Sequence, residues 1–77
     1  MKLTYDPELN IAYIRFRKKS GRVKTVQVSA ELNIDLAADG KIYGIELLNA
    51  NEQLAKGKNV VLENVTTGSR QKLSLAS

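Results

Sequence analysis

The chain has 77 residues, a net charge of +4, 43% hydrophobic residues, and neither cysteine nor histidine. That length allows one domain, 1–77, with a small hydrophobic core, and the composition excludes disulfides, the usual structural zinc ligands and imidazole- or thiol-based catalysis. We therefore expect self-association to support the small core, no cofactor, and a binding module more readily than an enzyme.

Apolar and polar residues alternate along most of the chain, with turn residues between the alternating segments. This pattern is typical of short antiparallel strands. We predict a mainly β fold, α+β by strict count: an antiparallel five-stranded meander, one short helix and a C-terminal β-hairpin. The strands of the meander are predicted at 3–5, 11–17, 23–28, 32–38 and 41–48.

The connection between the second and third predicted strands lies in the most basic stretch, RFRKKSGRVK, residues 15–24. A three-residue loop with Gly21 in a left-handed conformation would pair Ile14 with Val26. The basic side chains would then surround the tip of a hairpin and extend along its outer face.

The next hairpin is defined by Asp39-Gly40, a strong signal for a two-residue type I′ turn. The turn and the hydrophobic pattern select the same register. Pairing outward from the turn sets Leu36 opposite Tyr43, Ile34 opposite Ile45 and Leu32 opposite Leu47. One face of the meander is predicted to carry the core: Leu3, Tyr5, Ala12, Ile14, Phe16, Val26, Val28, Leu32, Ile34, Leu36, Tyr43, Ile45 and Leu47.

After the meander, Asn49 with Glu52 three residues later forms a capping-box pattern, and Gly57 can end a helix. We predict about two helical turns here. A final hairpin is predicted to follow, with strands at 60–63 and 71–75.

The stretches YDPELNIAYIRF and NIDLAADGKIYGIELLNA together resemble the domain of unknown function 2283 family of small prokaryotic proteins. The matching positions are Tyr5, Asp6, Tyr13, Ile14, Asp35, Gly40, Gly44, Ile45, Glu46, Asn49 and Ala50. The resemblance covers the meander and the start of the helix, 1–54, and leaves the helix end and C-terminal hairpin, 55–77, outside it. Asn10 departs from the pattern, which has an acidic residue there. The resemblance implies no activity; some such proteins resemble companions of ribonuclease-type toxins, which suggests an antidote-like role.

Two carboxylates, Asp35 and Glu46, are expected as diagonal neighbours on the polar face, about 7 to 8 Å apart, with Asn33 beside them. Such a pair can bind a hard cation or act as acid and base, so cation-dependent hydrolysis is a reserve hypothesis. The alternative is that both carboxylates balance Arg15 and Arg17 on a solvated face.

A glycine inside a strand, Gly44, is expected opposite Asp35. Glycine weakens a strand, so it indicates either a local kink or bulge, or the close approach of a ligand or partner. Both interpretations remain open at this point.

The basic stretch is also a candidate for binding nucleic acid, because a few Lys and Arg side chains suffice to attract a polyanion. Single-strand binders also use aromatic side chains for stacking, and the chain has only three Tyr and one Phe. A solvated hairpin tip, whose lysines discourage edge pairing, is the alternative. The candidate residues are Arg15, Arg17, Lys18, Lys19 and Arg22.

Four apolar residues are expected on the face opposite the core: Ile11, Tyr13, Ile42 and Leu48. Something should cover them, and the candidates are the C-terminal hairpin, a second copy of the chain or a different protein. The leading hypothesis is a non-catalytic protein-interaction module, a homodimer with another protein as a further partner and an antidote-like role towards a toxin.

The apolar runs are short throughout the chain. None resembles a signal peptide or approaches the roughly 18 residues of a membrane span. We expect a cytoplasmic protein with no membrane partner.

Overall fold

The computed structural model describes residues 1–18, 21–54 and 59–74. Five strands come first: β1 Lys2–Asp6, β2 Ile11–Arg15, β3 Val23–Ser29, β4 Leu32–Ala37 and β5 Ile42–Leu48. A helix follows, α1 Ala50–Gln53, and then two strands, β6 Asn59–Glu63 and β7 Arg70–Ser74. The predicted fold class is confirmed: a five-stranded antiparallel sheet, one short helix and a C-terminal hairpin. The predicted helix end at Gly57 and strand end at residue 75 lie outside the described residues.

The order of the strands in the larger sheet is β1-β2-β5-β4-β3. The predicted pairing of β2 with β3 is therefore wrong, because β2 pairs with β5 and sets Ile14 opposite Ile45. β2 is an interior strand in either arrangement, but the observed order makes β5 interior as well, so that Ile45 and Leu47 have apolar neighbours on both sides. If β2 had paired with β3 as predicted, the long apolar strand β5 would have been an edge strand, open to pairing with other chains.

The basic stretch is therefore an arm that crosses one end of the sheet. In the sheet β5 and β4 lie between β2 and β3, which puts the end of β2 and the start of β3 about 14 Å apart at usual strand spacing. The arm starts as an extension of β2, since the Phe16 amide donates to the Tyr43 carbonyl at 2.8 Å. The predicted tip of a β2–β3 hairpin does not form.

The β4–β5 hairpin has the predicted register along most of its length, including Leu32 opposite Leu47 and Ile34 opposite Ile45. Near the turn the register shifts by one residue, which sets Leu36 opposite Ile42 instead of Tyr43. The shift is a β-bulge that accommodates the extra residue.

The turn itself is a three-residue loop, since the Ala37 amide donates to the Lys41 carbonyl and the Gly40 amide to the Ala37 carbonyl. Gly40 has a φ of 85°, whereas Asp39 is not among the described non-glycine residues with positive φ. The predicted type I′ turn is wrong for this reason. The observed loop requires a left-handed conformation only at Gly40, where it costs little.

Helix α1 is a single turn held by the β1–β2 turn. Asn49 has a left-handed backbone with a φ of 53° and makes no side-chain cap, so the predicted capping box is wrong. The cap comes instead from Asn10, whose carbonyl accepts the Ala50 amide at 3.0 Å and whose Oδ1 accepts the Asn51 amide at 2.6 Å. A residue distant in the chain thus replaces the local cap.

The strand pairing places apolar side chains from all five strands on a single face of the sheet, which we call the apolar face. Its residues are Leu3, Tyr5, Ala12, Ile14, Val26, Leu32, Ile34, Leu36, Ile42, Ile45 and Leu47. Among the described residues only Ala12 and Ala50 form a buried hydrophobic core, and no large side chain is fully buried. Phe16 and Val28, both predicted for the core, are 41% and 55% exposed.

The C-terminal strands β6 and β7 form a separate two-stranded sheet, in which Val60 lies opposite Leu73. Within the described ranges this hairpin makes no extensive contact with the larger sheet. The Cα radius of gyration is 13.8 Å, against about 11.5 Å for a compact domain of this length. The five-stranded sheet is therefore a single layer, covered at one end by α1.

Asn10 is expected to couple the first turn to the helix. Asn10→Ala removes the side-chain bond to Asn51 and places alanine, which tolerates a left-handed backbone less well than asparagine, at a φ of 62°, so we expect a loss of about 2 to 3 kcal/mol in the free energy of unfolding. Asn10→Gly loses the same bond but accepts the backbone, and we expect a loss smaller by about 1 kcal/mol. Urea unfolding of both variants measures the difference, and equal stability of Asn10→Ala and the parent chain would contradict this role.

Candidate interaction surfaces

The polar face of the sheet carries a chain of hydrogen bonds that crosses four strands. The Tyr13 hydroxyl on β2 donates to Oδ2 of Asp35 on β4 at 2.6 Å, and Thr25 on β3 donates to Oδ1 of the same carboxylate at 2.6 Å. Strand β5 lies between Tyr13 and Asp35. The side chain of Tyr13 therefore spans a whole strand to reach its acceptor.

Gly44 provides the space for that span. A Cβ placed at Gly44 would lie 2.5 Å from Cζ and 2.7 Å from Cε1 of Tyr13. No atoms approach so closely without displacement, so only glycine leaves room for the ring at this point in β5. The group that approaches Gly44 is a tyrosine of the same chain and not the predicted ligand or partner; the alternative, a bulge, lies at the neighbouring residue.

The environment of Tyr13 favours its neutral form. Burial is the main cause, and the hydrogen bond to Asp35 and the charge of that carboxylate act in the same direction, so the pKa of Tyr13 lies well above its usual range. The phenol stays protonated and donates at any physiological pH. Tyr13 therefore stabilises the polar face of its own chain.

The predicted carboxylates share this face, and each already accepts hydrogen bonds. Asp35 accepts from Tyr13 and Thr25, and Oε1 of Glu46 accepts from the Asn33 amide at 2.9 Å. Within residues 1–18, 21–54 and 59–74, no group of three or more acidic, His or Cys side chains could hold a metal ion. The only carboxylates left for the cation hypothesis are Asp35 and Glu46, and both already accept hydrogen bonds from other strands.

The Tyr13–Asp35 bond was missed by sequence reasoning, because it depends on β5 lying between β2 and β4. Gly44 was recognised as unusual, but the predicted β2–β3 pairing put β3 between Tyr13 and Asp35 and placed Gly44 on the other side of β4, away from Tyr13. A glycine beside an aromatic residue on the adjoining strand is the signal that indicates such a ring.

The fold brings together only some of the residues that were predicted to bind nucleic acid. Arg15 lies in β2 opposite Gly44, while Lys18 and Arg22 are exposed on the crossing arm. Arg17 is paired with Asp39 of the β4–β5 turn, through NH1 at 3.1 Å and NH2 at 2.5 Å. Lys19 lies outside the described residues.

The Arg17–Asp39 pair ties the arm to the turn that it crosses. The hydrogen bond from Arg17, with a second from the Lys41 amide, lowers the pKa of Asp39 to about 2. Both side chains are partly exposed, at 38% and 49%, so the pair contributes little to stability. Its main effect is to fix the position of the arm.

Charge is separated between the two ends of the larger sheet. The described basic residues of 1–54 all lie towards the end crossed by the arm: Lys2, Arg15, Arg17, Lys18, Arg22, Lys24 and Lys41. The opposite end carries the acidic residues of two turns and the helix: Asp6, Glu8, Glu31 and Glu52. We call these the basic end and the acidic end.

The four residues predicted as an interaction surface do not form one patch. Ile11 lies opposite Leu48 on the polar face, and the ring of Tyr13 is occupied over Gly44. The bulge sets Ile42 opposite Leu36, which belongs to the apolar face. The larger uncovered surface is the apolar face itself, which sequence reasoning had assigned to an internal core.

Among the described residues, no helix is long and apolar enough to cross a membrane. This finding agrees with the short apolar runs of the sequence.

Comparisons with known proteins identify one family. A family model described as "Protein of unknown function (DUF2283)" matches residues 2–51, which include β1 to β5 and the start of α1. No curated protein and no solved structure matches the chain. The match covers the five-stranded sheet and ends before the C-terminal hairpin.

The fit of Tyr13 against Gly44 gives a test by double substitution. Gly44→Ala forces the ring out of its place, and we expect a loss of about 1 to 3 kcal/mol in the free energy of unfolding. Tyr13→Ala in the same chain removes the obstructing ring, so Gly44→Ala should cost less than about 1 kcal/mol there. Urea unfolding of the four chains measures this coupling; additive losses would contradict the fit.

The Arg17–Asp39 pair predicts a specific pH dependence. Because the pKa of Asp39 is lowered from 3.8 to about 2, its contribution to stability is complete above about pH 4 and is lost as the pH falls towards 2. We therefore expect the difference in unfolding midpoint between the parent chain and Asp39→Asn to shrink over that range. Urea unfolding from pH 6 to 2 measures it, and a difference that stays constant would show that the pair is absent in solution.

Proposed function

This chain belongs to the DUF2283 family of proteins of unknown function, and we propose that it is a non-catalytic interaction module whose apolar face binds a protein chain. The observation that carries the proposal is the uncovered apolar face. A sheet needs a second layer over such a face, and within the described residues only α1 provides part of one.

The exposed surface area supports the proposal. The accessible surface of the chain is 5938 Å², whereas a folded monomer of its mass exposes about 4,700 Å². The excess of about 1,200 Å² is larger than the roughly 800 Å² that each partner buries in a standard interface. Both a hairpin without extensive contact to the larger sheet and a sheet face without a second layer, as seen within the described residues, raise the exposed area.

Several observations favour binding over catalysis. The chain contains no Cys or His, and the carboxylates on the polar face accept hydrogen bonds from Tyr13, Thr25 and Asn33. Each of these bonds connects two strands of the sheet, which is a structural role. Cation-dependent hydrolysis through Asp35 and Glu46 stays a reserve hypothesis, and a titration without calcium, magnesium or manganese binding would remove it.

A cytoplasmic location and a toxin partner are finer parts of the same proposal. The location follows from the short apolar runs of the sequence, and a ribonuclease-type toxin is the partner class that the family resemblance suggests. Identifying what the apolar face binds in cells would test both the location and the partner.

Nucleic-acid binding is a second candidate, favoured by the grouping of cations at the basic end. Arg15, Lys18 and Arg22 have no carboxylate partner among the described salt bridges. Arg17 is already paired with Asp39, which lowers its availability to a phosphate. Affinity unchanged after substitution of Arg15, Arg17, Lys18, Lys19 and Arg22 by Gln would eliminate this candidate.

Affinity capture of the tagged protein, with and without nuclease, tests the proposal. Val26→Asp places a charge on the apolar face, and Gln27→Asp places the same charge on the adjacent residue of the polar face. Both positions are exposed on edge strand β3, so the variants form a matched pair. We expect the parent chain and Gln27→Asp to retain a protein chain in near-equal amount, either untagged copies or another protein, and Val26→Asp to lose it.

The outcomes of the capture experiment separate the two candidates. Retention that survives nuclease and is lost with Val26→Asp supports the interaction module. Retention that disappears with nuclease supports the nucleic-acid candidate instead. A monomer that retains no protein chain would overturn the proposed function.

A further inference from the structure

We propose that the apolar face is covered by a second copy of this chain, stacked so that the basic end of each sheet lies over the acidic end of the other. This inference rests on the proposed function and specifies its partner. The product is a two-layer β-sandwich with a two-fold axis that lies between the sheets and perpendicular to their strands. The separated charges, the position of the helix and the exposed area favour this arrangement.

Charge complementarity selects the orientation. If the two-fold axis ran along the strands, the basic ends of both copies would meet, and so would their acidic ends. With the axis perpendicular to the strands, Arg22 and Lys24 of one copy approach Glu31 of the second copy. Lys24 belongs to the row of Leu36 on the apolar face, and Glu31 lies in the β3–β4 turn at the opposite end. Opposite charges then surround the apolar contact, as in specific interfaces.

The helix imposes the same orientation by its bulk. Tyr5 of the apolar face donates a hydrogen bond to Asn51 of α1, and Gln53 donates to the carbonyls of Glu31 and Leu48 at 2.9 and 2.5 Å. The helix thus lies at the acidic end of the sheet, where its side chains bond to both the β1–β2 turn and the β3–β4 turn. Two copies with their acidic ends together would bring both helices to the same end, where they would hold the sheets apart. The opposite orientation places one helix at each end.

A second copy is also a better cover than the C-terminal hairpin of the same chain. The hairpin has two strands of five residues, whereas the apolar face extends over five strands. Its apolar residues Leu62 and Leu73 are 60% and 62% exposed, and it makes no extensive contact with the larger sheet within the described ranges. A second sheet matches the first in width, length and apolar character, because it is the same surface.

Cysteine cross-linking tests the orientation cleanly, because the chain contains no cysteine of its own. Stacked sheets are about 10 Å apart, so a bismaleimide that spans about this distance joins only residues that face each other. We expect a mixture of Lys24→Cys and Glu31→Cys chains to yield a cross-linked dimer, and a mixture of Lys24→Cys and Leu3→Cys chains to yield almost none. In the proposed dimer, Lys24 of one copy and Leu3 of the other lie on opposite edges, about 19 Å apart across the sheet.

Sedimentation equilibrium of the full chain gives an independent readout. We expect a dimer whose dissociation constant rises at least tenfold in Val26→Asp and changes less than threefold in Gln27→Asp, since only the first substitution places a carboxylate in the apolar interface. Both variants are at exposed positions, so circular dichroism should show the same strand content as in the parent chain. Equal dissociation constants for the two variants would place the interface elsewhere and overturn the inference.

The failures of this inference and of the proposed function are distinguishable. Preferential cross-linking of Lys24→Cys with Leu3→Cys would overturn the orientation. A monomer at all concentrations would overturn the second copy as occupant; if that monomer still captured another protein through a Val26-sensitive contact, the interaction module would stand. A monomer that captured nothing would overturn both.

Discussion

The pairing of β2 with β5 is the interaction on which the rest of the sheet depends. It joins a local hairpin, β1–β2, to a local meander, β3–β4–β5, so that two apolar surfaces become one face. It also separates the end of β2 from the start of β3 by two strands, and at this end of the sheet Arg17 meets Asp39. On the other face it brings the ring of Tyr13 over Gly44 to Asp35. Each of these contacts would be absent if β2 paired with β3.

The sequence predicted the local parts of this fold well. Alternation and turn residues located the strands, and the predicted register of β4 against β5 is correct beyond the bulge, because the bulge compensates for the third residue of the loop. These features depend on residues close together in the chain. The same information predicted most of the side chains that share the apolar face, because alternation assigns faces whichever strands are neighbours; Ile42 is an exception, because the bulge interrupts the alternation there.

The non-local parts could not be predicted in the same way. Alternation is equally compatible with β3 or β5 as the neighbour of β2, and a plausible loop around Gly21 favoured the wrong one. The role of Asn10 is another example, since its side chain caps a helix that begins forty residues later in the chain. The capping-box pattern at Asn49 and Glu52 was a reasonable local alternative, and the tertiary contact overrode it. The candidate site shows the same limit. Tyr13, Asp35 and Gly44 were each recognised from the sequence, but the contacts between them were not.

The separation of charge has a consequence for how this molecule meets any charged partner. A sheet with cations at one end and carboxylates at the other is an electric dipole on the scale of the whole domain. Its field exerts a torque on an approaching charged surface before the two touch, so that orientation is selected during diffusion. Dissolved salt weakens the torque, because the field decays over about 10 Å at 0.1 M ionic strength. The rate of encounter with a charged partner therefore depends on ionic strength.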